Sequence, residues 1–196
     1  MQLHEIVSQG DSVGPVTVAE FVRMCESGAF ADDARVELLD GFVIRMPRAT
    51  PPHAYATAAL TRLFVLRFDG RAWVSANNNV ELNARSMPEP DVQLDALPSS
   101  RYMRVRPAPP ETLLVVEVSR STLSFDLGRK KRAYARAGIR EYWVVDLIHD
   151  RVEVFREPRG GEYTVHATVG RGERVAPQAF PNDAFAVEEF LPEPTR

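Results

Sequence analysis

Cysteine is almost absent from the 196 residues. Cys25 stands alone, so an internal disulfide and a cysteine-built zinc site are excluded, and the chain suits a reducing compartment. No apolar run approaches the length of a membrane span. The opening "MQLHEIVSQGDSVGP" lacks a basic segment followed by an apolar stretch, so no secretory signal is expected and a cytoplasmic location is. Positive charge is not in excess either: the formal net charge of −3 excludes a generally basic, non-specific nucleic-acid binder. Lysine is scarcer still. Lys130 and Lys131, side by side, are the only two, against 22 arginines.

What is present is ordinary in bulk and uneven in place. A hydrophobic fraction of 44% and a charged fraction of 26% predict a globular domain with a sizeable core over residues 16–196, after a loose polar arm at 1–15. Between Arg101 and Arg140, ten basic residues face three acids, a local excess of +7 that suits an anionic partner or a solvated helix face and loop.

The pattern along the chain predicts a mixed α/β (α+β) fold. "TVAEFVRMCESG" reads as a helix capped by Thr17 with Glu20 three residues on and Gly28 beyond its end. "ARVELLDGFVIRMP" reads as a hairpin turning at Asp40-Gly41. A second helix starts near the prolines of "TPPHAYATAALTRLFVLRF", with Ala56, Leu60, Leu63, Phe64 and the stem of Arg67 inward and His53 on the same side. Strands follow at "AWVSANNNVEL", "PDVQLDAL" and "TLLVVEVS", with an Arg- and Pro-rich loop before the last. A helix over "FDLGRKKRAYARAG" leads to a meander of "EYWVVDL", "RVEVFRE" and "EYTVHATVG", and "FAVEEFLPE" reads as a short terminal helix. The result is a mainly antiparallel sheet flanked by helices, with one strand–helix–strand crossover.

Three residues stand out chemically. Glu117 interrupts the most apolar strand, where an ionised carboxylate needs a partner, a metal or an exposed strand end. Asp91 opens a strand whose Val92 and Leu94 share one face, so Asp91 and Gln93 point the other way; alone it is equally a turn residue. At 100° per residue, Leu127, Lys130, Ala133, Tyr134 and Ala137 share one helix side, and Arg129, Arg132 and Arg136 the other. The inward cation is thus a lysine, and the alternative is a stem that snorkels out. Two carboxylates on neighbouring strands can hold a divalent cation, and a nearby ammonium, with a pKa that burial can lower, can orient water or stabilise a phosphate. Glu37 could add a ligand, and His53 either packs or contacts a phosphate.

In their order, "VELLDG", "PPH", "PEPDV", "LLVVEVSRST", "DLGRKKRAYARAGIREYWVVD" and "FPNDAFAVEEF" resemble a large bacterial family of putative restriction endonucleases in the PD-(D/E)XK nuclease superfamily. The resemblance runs from about Val16 to Phe190 and implies a restriction-endonuclease-like core and a Mg²⁺-dependent endonuclease (Mn²⁺ in its place) acting on DNA, as a homodimer. It further implies that Asp91 and Glu117, with the Val118 carbonyl, hold the metal, and that Glu37 assists. The superfamily's lysine two residues after the Glu is missing, since Ser119 stands there. Relatives supply it from the next helix, at the place of Lys130, with Tyr134 in support. Arg101, Arg104, Arg106, Lys131 and His53 are the expected nucleic-acid contacts. The competing expectations are a nuclease-like module that binds without cutting, and an acid-rich structural or toxin-neutralising partner domain.

Overall fold

The structure, a computed structural model, describes residues 14–31 and 34–193. Most of the expected arm, residues 1–13, lies outside the described residues.

Helix α1 (Val18–Glu26) forms where its cap was expected: the Thr17 hydroxyl accepts from the Glu20 amide, and the Glu20 carboxylate accepts from the Thr17 amide at 2.8 Å. Strands β1 (Val36–Leu39) and β2 (Phe42–Arg45) make the hairpin, with Asp40 and Gly41 at φ +54° and +78°. Those positive φ values are what a tight two-residue hairpin turn requires. Helix α2 (Pro51–Phe68) starts at its prolines and buries Ala56, Leu60, Phe64 and Phe68. Phe68, not the stem of Arg67, takes the last core position. Arg67 stays exposed, with its guanidinium 5.8 Å from the centre of the Phe185 ring.

Six strands form the main sheet, in the order β3 (Trp73–Ala76), β4 (Val92–Asp95), β5 (Thr112–Ser119), β6 (Glu141–Asp146), β7 (Arg151–Arg159) and β8 (Glu162–Gly170). Only β5 and β6 run parallel. The segment joining those two carries a three-residue helix α3 (Leu123–Phe125), a wider π turn over Asp126–Lys130, and helix α4 (Lys131–Ala137) closed by Gly138 in the left-handed region. An unbroken helix up to Gly138 is therefore not what forms. "AWVSANNNVEL" also yields only four strand residues before Asn77 turns away at φ +49°. The expected terminal helix is instead a two-residue strand, β10 (Phe185–Ala186), pairing with β9 (Arg174–Val175), and a single 3₁₀ turn.

Alternation along β5 decides what each sheet face receives. Leu114, Val116 and Val118 join α2, Trp143 and Val145 in one core, while Val115 joins Ala133 and Tyr134 of α4, Tyr142, Val144 and Leu39 in the other. Glu117 and Ser119 fall on the α4 side by the same period of two. The hairpin closes against that side. Arg136 reaches both oxygens of Asp40, at 2.8 and 2.9 Å, and the Arg129 guanidinium lies 5.0 Å from the centre of the Phe42 ring. Among the described residues no helix is long and apolar enough to cross a membrane.

Candidate active site

Glu117 sits in the middle of the sheet, 4% exposed, so the exposed strand-end alternative does not hold. Its Oε1 accepts from the Lys130 ammonium at 2.8 Å and from the Tyr134 hydroxyl at 2.7 Å. Lys130, 0% exposed, reaches the Glu37 carboxylate too, at 3.1 Å to Oε1 and 2.9 Å to Oε2. One buried ammonium thus bridges the hairpin to the central strand. The lysine does not snorkel.

Asp91, at the threshold of β4, accepts from the Val118 amide at 2.8 Å through Oδ2, and His53 Nε2 lies 3.2 Å from the same oxygen. Asp126, 1% exposed, accepts from the Ser119 hydroxyl at 2.6 Å. Asp91, Glu117, Glu37, Lys130, Val118, His53 and Asp126 all line one small cleft of about 40 Å³. On the scale of one water probe per 10–15 Å³, that is room for a few waters or a partly hydrated ion.

Burial pushes Glu37, Glu117 and Asp126 above the usual carboxylate range, and Lys130 only partly offsets it. For Lys130 the balance tips the other way. Burial disfavours its charge, yet Glu117, Glu37 and Asp126 together outweigh that and hold it protonated above its ordinary range. The expectation of a pKa lowered by burial is overturned, because the partners carry the larger effect. As a cation, Lys130 donates hydrogen bonds to both Glu37 and Glu117. One ammonium among three buried carboxylates leaves negative charge that protons or another cation must balance.

The donors fit a hard cation. Among the described residues, neither Oδ1 of Asp91 nor Oε2 of Glu117 is engaged in a hydrogen bond, and both residues face the cleft. No group of three His, Cys, Asp or Glu side chains among the described residues could hold an ion. Oxygen donors of this kind are those that hard divalent cations take.

Other expected residues lie elsewhere. Arg101 bonds Glu111 at 2.9 Å, and Arg104 and Arg106 line a separate groove with Asn78 and Glu81. Lys131 turns from the cleft, its ammonium 5.0 Å from the centre of the Phe155 ring. Besides Lys130, the cations that line the cleft are Arg35, Arg48 and Arg120, and Glu89 joins the acids, 3.5 Å from Arg35. The sequence held partial signals for these: Arg35 is two residues before Glu37 on the same strand face, and Arg120 directly follows Ser119. Asp126 gave only the spacing of four to Lys130.

A family model described as "Putative restriction endonuclease" (Uma2) matches residues 18–188. Among solved structures, the chain is similar to a putative nuclease of the DUF820 group from Anabaena variabilis ATCC 29413. The TM-score is 0.72 at 14% identity, over 90% of this chain and 97% of that one. No curated protein matches the sequence.

Proposed function

The chain belongs to the Uma2 family of putative restriction endonucleases, and from that premise we propose a divalent-metal-dependent endonuclease that hydrolyses DNA phosphodiester bonds. The observation that supports it most is the buried Lys130 ammonium between Glu37 and Glu117, in a cleft that Asp91 and three arginines also line.

In this reading Asp91, Glu117 and the Val118 carbonyl would hold Mg²⁺. When bound, the ion neutralises charge on the phosphate and lowers the pKa of water beside it. The chain's own groups supply orientation. Val118 N–H and His53 fix Asp91, while Tyr134 and Lys130 hold Oε1 of Glu117. The Lys130 ammonium, restrained by Glu37, donates to the attacking water or to a phosphate oxygen as negative charge grows on it. Arg35, Arg48 and Arg120 at the rim, with Arg101, Arg104 and Arg106 farther along, position the backbone through phosphate contacts.

The test is cleavage of labelled duplex, single-stranded and branched DNA with Mg²⁺, Mn²⁺ or chelator. Wild type is expected to cut at least one substrate only with metal, and Asp91→Ala to leave all of them intact. Equal cutting by Asp91→Ala, or cutting in chelator, would refute the proposal. A second reading, binding without cleavage, draws on Glu117 Oε1 being already occupied by Lys130 and Tyr134. It predicts salt-sensitive retention of DNA and no cutting with either metal.

A further inference from the structure

The π turn that delivers Lys130 is clamped at its first residue. The Asp126 carboxylate accepts the Ser119 hydroxyl at 2.6 Å, its main-chain oxygen accepts the Tyr142 hydroxyl at 3.2 Å, and the Lys131 amide bonds back to that oxygen five residues away. That last bond is the wider turn itself. Single π turns inside helices are uncommon and concentrate at functional sites. Here it lies between α3 and α4, so the register of Lys130 depends on where Asp126 is held.

Ser119 is placed for that task by strand alternation. It follows Glu117 by two on β5, is fully buried, and points to the α4 side. A hydroxyl there cannot hold a charge near the cleft as a lysine would, but it can hold the element that brings one. Asp126 has little reason to be buried for stability. Its Oδ1 takes no well-formed hydrogen bond among the described residues, with the Thr122 hydroxyl nearby, and burial works against its charge.

We propose that Ser119 and Asp126 form a latch that positions Lys130: the hydrogen bond fixes the π turn so that the ammonium falls between Glu37 and Glu117. Both are positioning residues. Their effect on cleavage rests on the function proposed above, while their effect on the lysine does not.

The scarcity of lysine makes the latch measurable without substrate. In a Lys131→Arg background Lys130 is the only lysine, and its acylation by N-hydroxysuccinimidyl acetate can be timed by mass spectrometry on the folded protein. Ser119→Ala and Asp126→Ala are each expected to raise the Lys130 acylation rate about tenfold or more, since one buried hydrogen bond is worth roughly that factor. Asp126→Asn, which can still accept from Ser119, is expected to keep Lys130 protected. Where wild type cuts DNA, Ser119→Ala should lower kcat by about ten- to a hundredfold with KM little changed, as expected for a displaced group acting on the transition state. Lys130 as protected in Ser119→Ala as in wild type overturns the latch, and so does an Asp126→Asn as exposed as Asp126→Ala. Ser119→Ala removes a single hydroxyl and decides the matter even if Asp126→Ala does not fold. Absence of cutting by wild type counts against the nuclease proposal alone.

Discussion

The Lys130 ammonium satisfies two carboxylates that burial would otherwise force to take up protons, and that role sets what its loss does. Lys130→Ala leaves Glu37 and Glu117 buried without their cation, which costs about 3–5 kcal/mol when one partner of such a pair is removed. The sign with pH follows from the directions. Glu37 and Glu117 already sit above their unfolded range, so the stability they allow is lost as pH rises through their folded values. Removing Lys130 raises those values further. The variant is therefore expected to be close to wild type near pH 4 and clearly weaker at pH 8, as urea midpoints at the two pH values would record. Equal deficits at both would argue against ionised partners. The sequence showed this residue by contrast alone, a single inward cation in a chain of arginines. It did not show that its partners would raise its pKa, because Glu37 lies 93 positions away and only the hairpin's docking brings it in.

Elements differ in how much of them the sequence disclosed, and the difference is physical. The hairpin and its Asp40-Gly41 turn were legible because the turn chemistry is local. Gly41 has a second constraint that was not: a Cβ there would come within 2.3 Å of the Pro15 Cβ. Gly41→Ala is thus expected to destabilise by about 1–3 kcal/mol, from φ strain and that clash together, read as a lower denaturation midpoint. Because β1 carries Glu37, metal-dependent cleavage should fall with it. The π turn was invisible to a 100° template, although the inward set of Lys130, Ala133 and Tyr134 survived it. The terminal β10 strand was invisible because it exists only by pairing with β9. Strand β4 holds a further titrating group away from the cleft. Burial lifts Asp95 to about 7, against hydrogen bonds from Thr112 and Gln93. Stability from this residue is expected to be greatest below about pH 4 and to fall as pH rises through about 7. Asp95→Asn should remove that fall in a pH series of urea midpoints.

Across the whole molecule, a net charge of −3 conceals a cleft rimmed by arginines. Charge counting along the chain pointed to Arg101, Arg104 and Arg106, which lie within six residues of one another. The cleft's own cations, Arg35, Arg48 and Arg120, come from three separate segments, and no window could have gathered them. The two sets make different predictions. Arg120→Ala should reduce the salt dependence of DNA affinity by about one unit of log–log slope and slow cleavage as well. Arg104→Ala should reduce the slope by a similar amount and leave the cleavage rate of bound DNA unchanged. Filter binding across a salt series with single-turnover cleavage separates them. In the six-stranded sheet, Asp91 just before β4 and Glu117 on β5 line the same cleft, and the single parallel step from β5 to β6 leaves room for the segment that brings the lysine.

Cleavage by the proposed nuclease depends on Lys130 as a compact, protonated donor between Glu37 and Glu117. The most direct measurement is the single-turnover cleavage rate of Lys130→Arg with saturating DNA and Mg²⁺. A guanidinium keeps the charge but cannot occupy the point where one ammonium meets both carboxylates. The rate is predicted to fall by about a hundredfold or more while DNA affinity stays near that of wild type. Cleavage at the wild-type rate would contradict the account.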